Sequence, residues 1–349
     1  NILAVQLTVR INRIIIVIKL KRLIMVKKNK MKTIAVLTSG GDGSGMNAAI
    51  RSVVRYALYH GLAVKGIMRG YQGLIDDEIV DLNRRSVSNI ISRGGTFLKT
   101  SRCPEFRTKA GVAKAAATLT KHKIDGLVVI GGDGSYAGAL DLFRSWNIPV
   151  VGVPGTIDND LYGTDQTIGC HTAVNVALEA IDKIRDTAHS MERIFVVEVM
   201  GRHSGYIAMQ VAVGSGAEDV IIPERVFDYK KMYEEIKKGH KKGKISWMII
   251  VAEGAGKAYK VAEKVTKITG LESRYVVLGH IQRGGTPTAP DRILATRLGA
   301  AAVECLIQGH YGKAVGVLQN KINVVDLGQA CASTNLPIDE YLNLIKILV

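Results

Sequence analysis

Past Met31 the chain alternates short runs of β-branched and other apolar residues with longer stretches whose apolar positions recur at helical spacing. The short runs are apolar on both faces, the pattern of parallel strands covered by helices on either side. They predict strands at Thr33–Thr38, Leu62–Met68, Gly126–Ile130, Val150–Val153, Ile194–Val199, Val220–Ile222, Met248–Val251 and Tyr275–Leu278. Helices are predicted over Met46–Tyr59, Ala113–Lys121, His171–Ala188, Lys230–Lys242, Val261–Lys267 and Asp291–Ile307. Strand, loop, helix and strand in this order make an α/β chain with doubly wound, mostly parallel sheets. Such sheets hold ligands at the carboxyl ends of their strands. No repeat of solenoid period and no Pro- or Ser-rich linker interrupts the pattern.

Composition sets the scale of the fold. A chain of 349 residues, 47% hydrophobic and 22% charged, buries a large core, and its length predicts two domains. Disorder as the dominant state is excluded. The cysteines at 103, 170, 305 and 331 have neither metal-ligand spacing nor the density of a disulfide-stapled domain, so a reducing cytoplasm is expected.

The formal charge of +16 would suggest nucleic acid, but half of the excess lies in residues 1–30, which carry eight Lys/Arg and no acid. Clustered bases elsewhere suit small anionic ligands. No aromatic-interleaved basic stretch of the kind that stacks bases is present, so no nucleic-acid partner is expected. The longest apolar run in residues 1–30, Ile14 to Ile18, is too short to cross a bilayer, and no membrane partner is expected. The segment also lacks the Ser of a transit peptide and the small-residue site of a secretory signal. It reads as a basic, apolar, non-native or disordered extension ahead of a natural start at Met31.

Three glycine-rich loops follow predicted strands. Thr38-Ser-Gly-Gly-Asp-Gly-Ser-Gly45 stands between a strand and a helix, where backbone amides converge on phosphate oxygens. It is neither a P-loop nor the spaced dinucleotide fingerprint, and a plain tight turn uses the same residues. Val129-Ile-Gly-Gly-Asp-Gly-Ser135 sets Asp133 among glycines at a strand end. That carboxylate suits a Mg²⁺ bridging nucleotide phosphates, or caps the helix that follows. Pro154-Gly-Thr-Ile-Asp-Asn-Asp160 follows the Val150–Val153 strand; if extended, it projects Thr156, Asp158 and Asp160 to one side. One carboxylate can then take a proton from an attacking hydroxyl while the other holds a metal or orients the first. Asp-Asn-Asp on its own also marks an ordinary turn.

Arg193, Arg202, Arg274 and Arg283 lie at or just past predicted strand ends, with His203, Glu253 and His280 in equivalent places. Guanidinium groups bind phosphate bidentately, while Glu253 and a histidine suit sugar hydroxyls. Surface ion pairing accounts for any one of these arginines alone. Their recurrence beside an acidic strand end points to a phosphoryl-transfer site.

These blocks resemble the bacterial ATP-dependent 6-phosphofructokinases. The match rests on Leu37-Thr-Ser-Gly-Gly-Asp42, Val128-Val-Ile-Gly-Gly-Asp-Gly-Ser135 and Val153-Pro-Gly-Thr-Ile-Asp-Asn-Asp160. It also rests on Val199-Met-Gly-Arg-His203, Val251-Ala-Glu-Gly254 and Leu278-Gly-His-Ile-Gln-Arg-Gly-Gly285. The resemblance runs from Met31 to the C-terminus. It implies the phosphofructokinase fold of two α/β domains: an ATP-binding domain of residues 31–169 plus 282–332, and a fructose 6-phosphate-binding domain of 170–281 plus 333–349. ATP would be held by Gly41, Tyr71, Arg102, Cys103, Asp133, Gly134 and Ser135, with Mg²⁺ on Asp133. Asp158 would be the general base, assisted by Thr156 and Asp160, with Arg202 and Arg102 stabilising the transition state. Fructose 6-phosphate would be held by Thr156, Asp158, Met200, Gly201, Arg202, Glu253, His280 and Arg283, with Arg193 and Arg274 reaching in from a neighbouring subunit of a homotetramer.

The same resemblance implies an effector site for ADP or phosphoenolpyruvate built from Arg51, Arg55, Arg185, Glu218, Lys242 and Lys244. Asn89 stands near that site where an acidic residue is common. Relatives that use pyrophosphate, the alternative donor, generally carry Asp at the place of Gly134 and Lys at the place of Gly155, so both glycines favour ATP. Several positions depart from the pattern. Gly43-Ser44 replaces a small residue followed by Pro, which is expected to loosen the first loop. Lys99 stands for a frequent Tyr, and His171 for Asp or an aromatic. Tyr206 replaces an Asp and stands close enough in sequence to disturb Arg202.

Overall fold

The computed structural model describes residues 31–332 and 336–348; the expectation for residues 1–30 lies outside these. The strands, in chain order, are β1 (Thr33–Thr38), β2 (Ala63–Ile67), β3 (Ile79–Leu82), β4 (Gly126–Gly131), β5 (Val150–Pro154), β6 (Ile194–Val199), β7 (Asp219–Ile221), β8 (Trp247–Ala252), β9 (Ser273–Val277), β10 (Lys313–Leu318) and β11 (Lys321–Asp326).

They form a seven-stranded sheet of order β11-β10-β5-β4-β1-β2-β3 and a four-stranded sheet of order β7-β8-β6-β9. In the larger sheet the five central strands run parallel, and β3 and β11 add antiparallel edges. The smaller sheet is parallel throughout. All residues of β4, β5, β6 and β8 are buried, as a two-sided helical cover requires.

Alternation along β1 sends Ala35 and Leu37 into a core shared with Val112, Leu119, Tyr136 and Leu142 of the helices Lys109–Lys121 and Asp133–Trp146. The opposite face is covered by the helices Met46–Tyr59 and Ala289–Gln308, which also pack on each other. In the smaller sheet, Val197, Val199 and Ile250 face the helices Cys170–Met191 and Tyr206–Ser215, while Val196, Ile249 and Val251 face Tyr229–Lys241 and Ala258–Thr269. The last helix, Ile338–Leu348, adds Ile345 to the first of these two layers. The chain therefore returns to the larger sheet for β10 and β11 before ending against the smaller one.

Every predicted strand forms, but one differs in character. β9 was expected to be covered on both faces, yet it is an edge strand with Arg274, Tyr275 and Val277 exposed. Three strands escape the sequence pattern. β3 has four residues, β10 carries Gly316 in its middle, and β11 alternates with an exposed outer face. The helix Tyr206–Ser215 is apolar nearly all round, so it shows no helical stripe.

Candidate active site

Register places three loops side by side at the carboxyl ends of β1, β4 and β5. Thr38 pairs with Ile130 and Gly131 with Pro154, and the ladder continues past the strands through Ser39 N to Ile130 O at 3.0 Å and Gly155 N to Gly131 O at 3.0 Å. In the second loop a β-carbon on Gly131 would lie 2.4 Å from Ser135 Oγ and 2.6 Å from Ser39 O, so only glycine lets the first two loops touch. Asp133 opens the helix Asp133–Trp146 with an exposed carboxylate. Behind it, the Tyr71 hydroxyl donates to Ser135 O at 2.5 Å, and its ring stacks on Phe106 at 4.0 Å. Arg102 and Gly134 are exposed and Cys103 is half-buried, its thiol pushed up by burial.

The third loop is not extended. Asn159 adopts φ +49°, and its side chain holds the turn by donating to Asp165 O at 3.1 Å and accepting from Thr167 N at 2.7 Å. The expected strand-like alternation of Thr156, Asp158 and Asp160 is therefore replaced by a turn. Thr156 Oγ1 accepts the Asp158 N–H at 3.3 Å, and Thr167 Oγ1 donates to Thr156 O at 2.6 Å.

The turn gathers the charges that the sequence singled out. Burial raises the carboxyl of Asp158; Glu253 and Asp133 raise it further, while Arg283 and His203 oppose them. Asp160 is pushed up to about 6 by burial, by Asp158 and by Asp133. A charge on Asp158 therefore makes Asp160 harder to ionise. Asp133 and Asp158 bear on each other electrostatically.

The smaller sheet supplies the other wall. Past β6, Gly201 adopts φ +131°, and a β-carbon there would lie 2.4 Å from Ser204 O. Past β8, Glu253 N donates to Val199 O at 2.9 Å, and a β-carbon on Gly254 would lie 1.9 Å from Arg202 O. These close approaches set Met200, Gly201, Arg202 and Glu253 together at the carboxyl ends of β6 and β8. Gln282, buried, accepts the Met200 N–H at 2.8 Å and joins this wall to the short helical turn Gly279–Arg283 that carries His280. Arg283 spans the two walls: its Nη1 donates to Asp42 O at 2.9 Å, and it bears electrostatically on Asp158. Such a site can hold an anionic ester against a base in a partly desolvated pocket.

Arg193 and Arg274 do not join it. Arg193 precedes β6 and Arg274 pairs with Phe195 in register, so both lie at the amino ends of their strands, and both bind Glu272, Arg193 at 2.9 Å. Their grouping with the carboxyl-end arginines is corrected accordingly. The effector candidates fall into two groups. Arg51 and Arg55 lie on the helix Met46–Tyr59; burial lowers the Arg51 pKa, and Arg55 Nε is buried without a partner among the described residues. Arg185 donates to Ser215 O at 2.5 Å. Glu218 pairs with Lys244 at 2.8 Å, and Lys242 ends the helix Tyr229–Lys241.

The departures also find places. Lys99, with φ +61°, offers its carbonyl to Thr38 Oγ1 at 2.9 Å, and His171 Nδ1 lies 3.0 Å from Thr288 Oγ1. Tyr206 packs on the apolar layer of the smaller sheet, and burial raises its phenol. Ser44 is buried, and its hydroxyl lies 2.8 Å from Gly285 O. Sequence reasoning missed Gln282 and Asp291, which serve this region through backbone contacts. Asp291 accepts from Gly169 N at 2.9 Å and Thr172 N at 2.7 Å, capping the helix Cys170–Met191 from across the fold. No local signal marks a cap supplied from over a hundred positions away.

Known proteins resemble this chain over most of its length. Residues 33–306 match the family described as Phosphofructokinase. The ATP-dependent 6-phosphofructokinase of Bacillus licheniformis is 56% identical over 292 residues, covering 84% of this chain and 91% of that one. That of Bacillus cytotoxicus is 53% identical over 312 residues, covering 89% and 98%. The structure of phosphofructokinase from Saccharomyces cerevisiae superposes with a TM-score of 0.79 at 38% identity, covering 86% of this chain and 45% of the yeast chain. A pyrophosphate-dependent phosphofructokinase from Marinobacter aquaeolei superposes at 0.78 with 22% identity, a likeness of fold alone.

Proposed function

This chain belongs to the phosphofructokinase family, and from that premise we propose that it is an ATP-dependent 6-phosphofructokinase, moving the γ-phosphoryl group of ATP to the 1-hydroxyl of fructose 6-phosphate. One observation carries the reading: Arg283, on the basic wall, reaches over Gly41 to donate to Asp42 O at 2.9 Å, so the glycine loops and the basic wall meet at one place.

The amides of the first two loops and the exposed Arg102 receive the nucleotide phosphates. Among the described residues no group of three or more His, Cys, Asp or Glu could hold a metal by itself. Asp133, exposed at the start of its helix, would hold a Mg²⁺, which would supply charge neutralisation at the phosphates. Asp158, once ionised, takes the proton of the sugar 1-hydroxyl as that oxygen attacks in line. Thr156 holds the Asp158 backbone in place. Arg283 and His280 bind the 6-phosphate, Met200, Gly201, Arg202 and Glu253 the sugar, and Arg202 and Arg102 meet the charge of the transition state.

For the donor, a β-carbon on Gly134 meets nothing within 4 Å, so this position is open for nucleotide to approach. We assign Arg193 and Arg274 to the site of a neighbouring subunit in a homotetramer, since both stand clear of their own. Arg51, Arg55, Arg185, Glu218, Lys242 and Lys244 are the candidates for an effector site taking ADP or phosphoenolpyruvate. A cytoplasmic location fits the four unpaired thiols. No described helix is long and apolar enough to cross a membrane. The two domains are read as 31–169 plus 282–332 and 170–281 plus 333–349, around the larger and smaller sheets.

A coupled assay of the full chain with fructose 6-phosphate tests the reading. Turnover with Mg-ATP, and none with pyrophosphate, is expected. Turnover with pyrophosphate alone would transfer the chain to the alternative donor class.

A further inference from the structure

We propose that Ser44 is a positioning residue for sugar-phosphate binding, fixing the backbone that carries Arg283; the proposal rests on the reading of Arg283 as a fructose 6-phosphate ligand. Ser44 is 1% exposed, and a buried hydroxyl requires an acceptor. It finds three carbonyls in one turn: Gly285 O at 2.8 Å, Gly284 O at 3.0 Å and Arg283 O at 3.4 Å. In return, Arg283 Nη1 donates to Asp42 O at 2.9 Å. The first glycine loop therefore grips this turn at its backbone and meets its guanidinium.

The turn has little else to anchor it on this side. Gly284 and Gly285 carry no side chains to pack, and Gly285 adopts φ +89°, so backbone contacts set their place. Gly94 also meets this turn, for a β-carbon on it would lie 2.4 Å from Gly285 O. Asn47 holds the Gly94 backbone by donating to Arg93 O at 3.1 Å and Gly94 O at 3.2 Å. Ser44 and Gly94 thus both abut the carbonyl of Gly285, at the end of the Arg283 turn. A guanidinium binds phosphate through directional contacts, so a small shift of its backbone costs affinity.

The test compares Ser44→Ala and Ser44→Thr in the full chain, alone and with Arg283→Ala, by steady-state kinetics, fructose 6-phosphate calorimetry and thermal unfolding. Ser44→Ala should raise the KM and Kd for fructose 6-phosphate by about two- to tenfold, the effect of one lost hydrogen bond. The KM for ATP and kcat should hardly change, Ser44→Thr should retain affinity, and the effect should vanish once Arg283 is Ala. Should Ser44→Ala not fold, Ser44→Cys keeps the volume and weakens the donor, giving the same readout. Unchanged sugar-phosphate affinity, an equal loss in the Arg283→Ala background, or no binding of fructose 6-phosphate by the unaltered chain would each overturn the proposal. If the chain binds the sugar phosphate but transfers nothing to it, and Ser44→Ala still weakens that binding, the positioning role stands and the enzymatic reading falls.

Discussion

Arg283 lies across Gly41 so closely that a β-carbon on Gly41 would sit 2.2 Å from its Nη1 and 2.7 Å from its Cζ. The obstacle is the far end of a flexible side chain, so the Gly41→Ala protein should fold normally while its arginine is pushed aside. Sugar-phosphate KM should rise by about tenfold, the scale of one charge-assisted contact, with the unfolding temperature unmoved. Kinetics beside a thermal melt check this, and an unchanged KM would place the working position of Arg283 elsewhere.

Removing the base while keeping its shape, in Asp158→Asn, should lower kcat by at least about 10²-fold. Near-normal turnover would remove Asp158 from the chemistry.

The pH profile carries more detail. Asp158 works only when ionised, and burial raises its pKa, so activity should fall on the acid side at a pH above the ordinary carboxylate range. The positive charge of Arg283 favours the anion, whereas Glu253 disfavours it. Arg283→Ala should therefore move the acid limb of kcat/KM upward and Glu253→Gln should move it downward. Limbs moving the other way would contradict the arrangement.

Asp219 provides a stability readout away from the site. Burial is the largest cause pushing its carboxyl up to about 7, with Glu235 and Glu218 adding to it; its Oδ2 accepts from Trp247 Nε1 at 2.9 Å. Between the ordinary aspartate value and about 7 the folded chain keeps a proton that the unfolded chain has lost. This contribution to stability is whole at low pH and fades as pH rises through that window. Asp219→Asn should flatten the slope, measured by denaturant unfolding at a series of pH values. An identical slope in both proteins would count against it.

Asp291 ties the start of one helix to the start of another. Asp291→Ala removes the acceptor of Gly169 N and Thr172 N and should cost roughly 2–4 kcal/mol. Asp291→Asn, which keeps one acceptor, should lose less. Equal unfolding midpoints for all three proteins would show that the cap contributes nothing.

The sequence by itself determined the elements whose causes are local. Apolar runs such as Val128–Ile130 and Ile194–Val199 form buried strands because their own side chains demand cover on both faces. Glycine loops after such strands marked Gly41, Asp133 and Asp158 because phosphate binding needs bare backbone near helix starts. Tertiary structure alone decided what depends on partners distant in the chain. It made β9 an edge strand, turned the Asp158 loop at Asn159, and set Arg193 and Arg274 on Glu272 at the amino ends of their strands. It also set the Ser44 hydroxyl against Gly285 O, 241 positions away. Periodicity records which face of a segment is apolar; hydrogen bonds and burial depend on which segment arrives opposite, and no short stretch of sequence carries that.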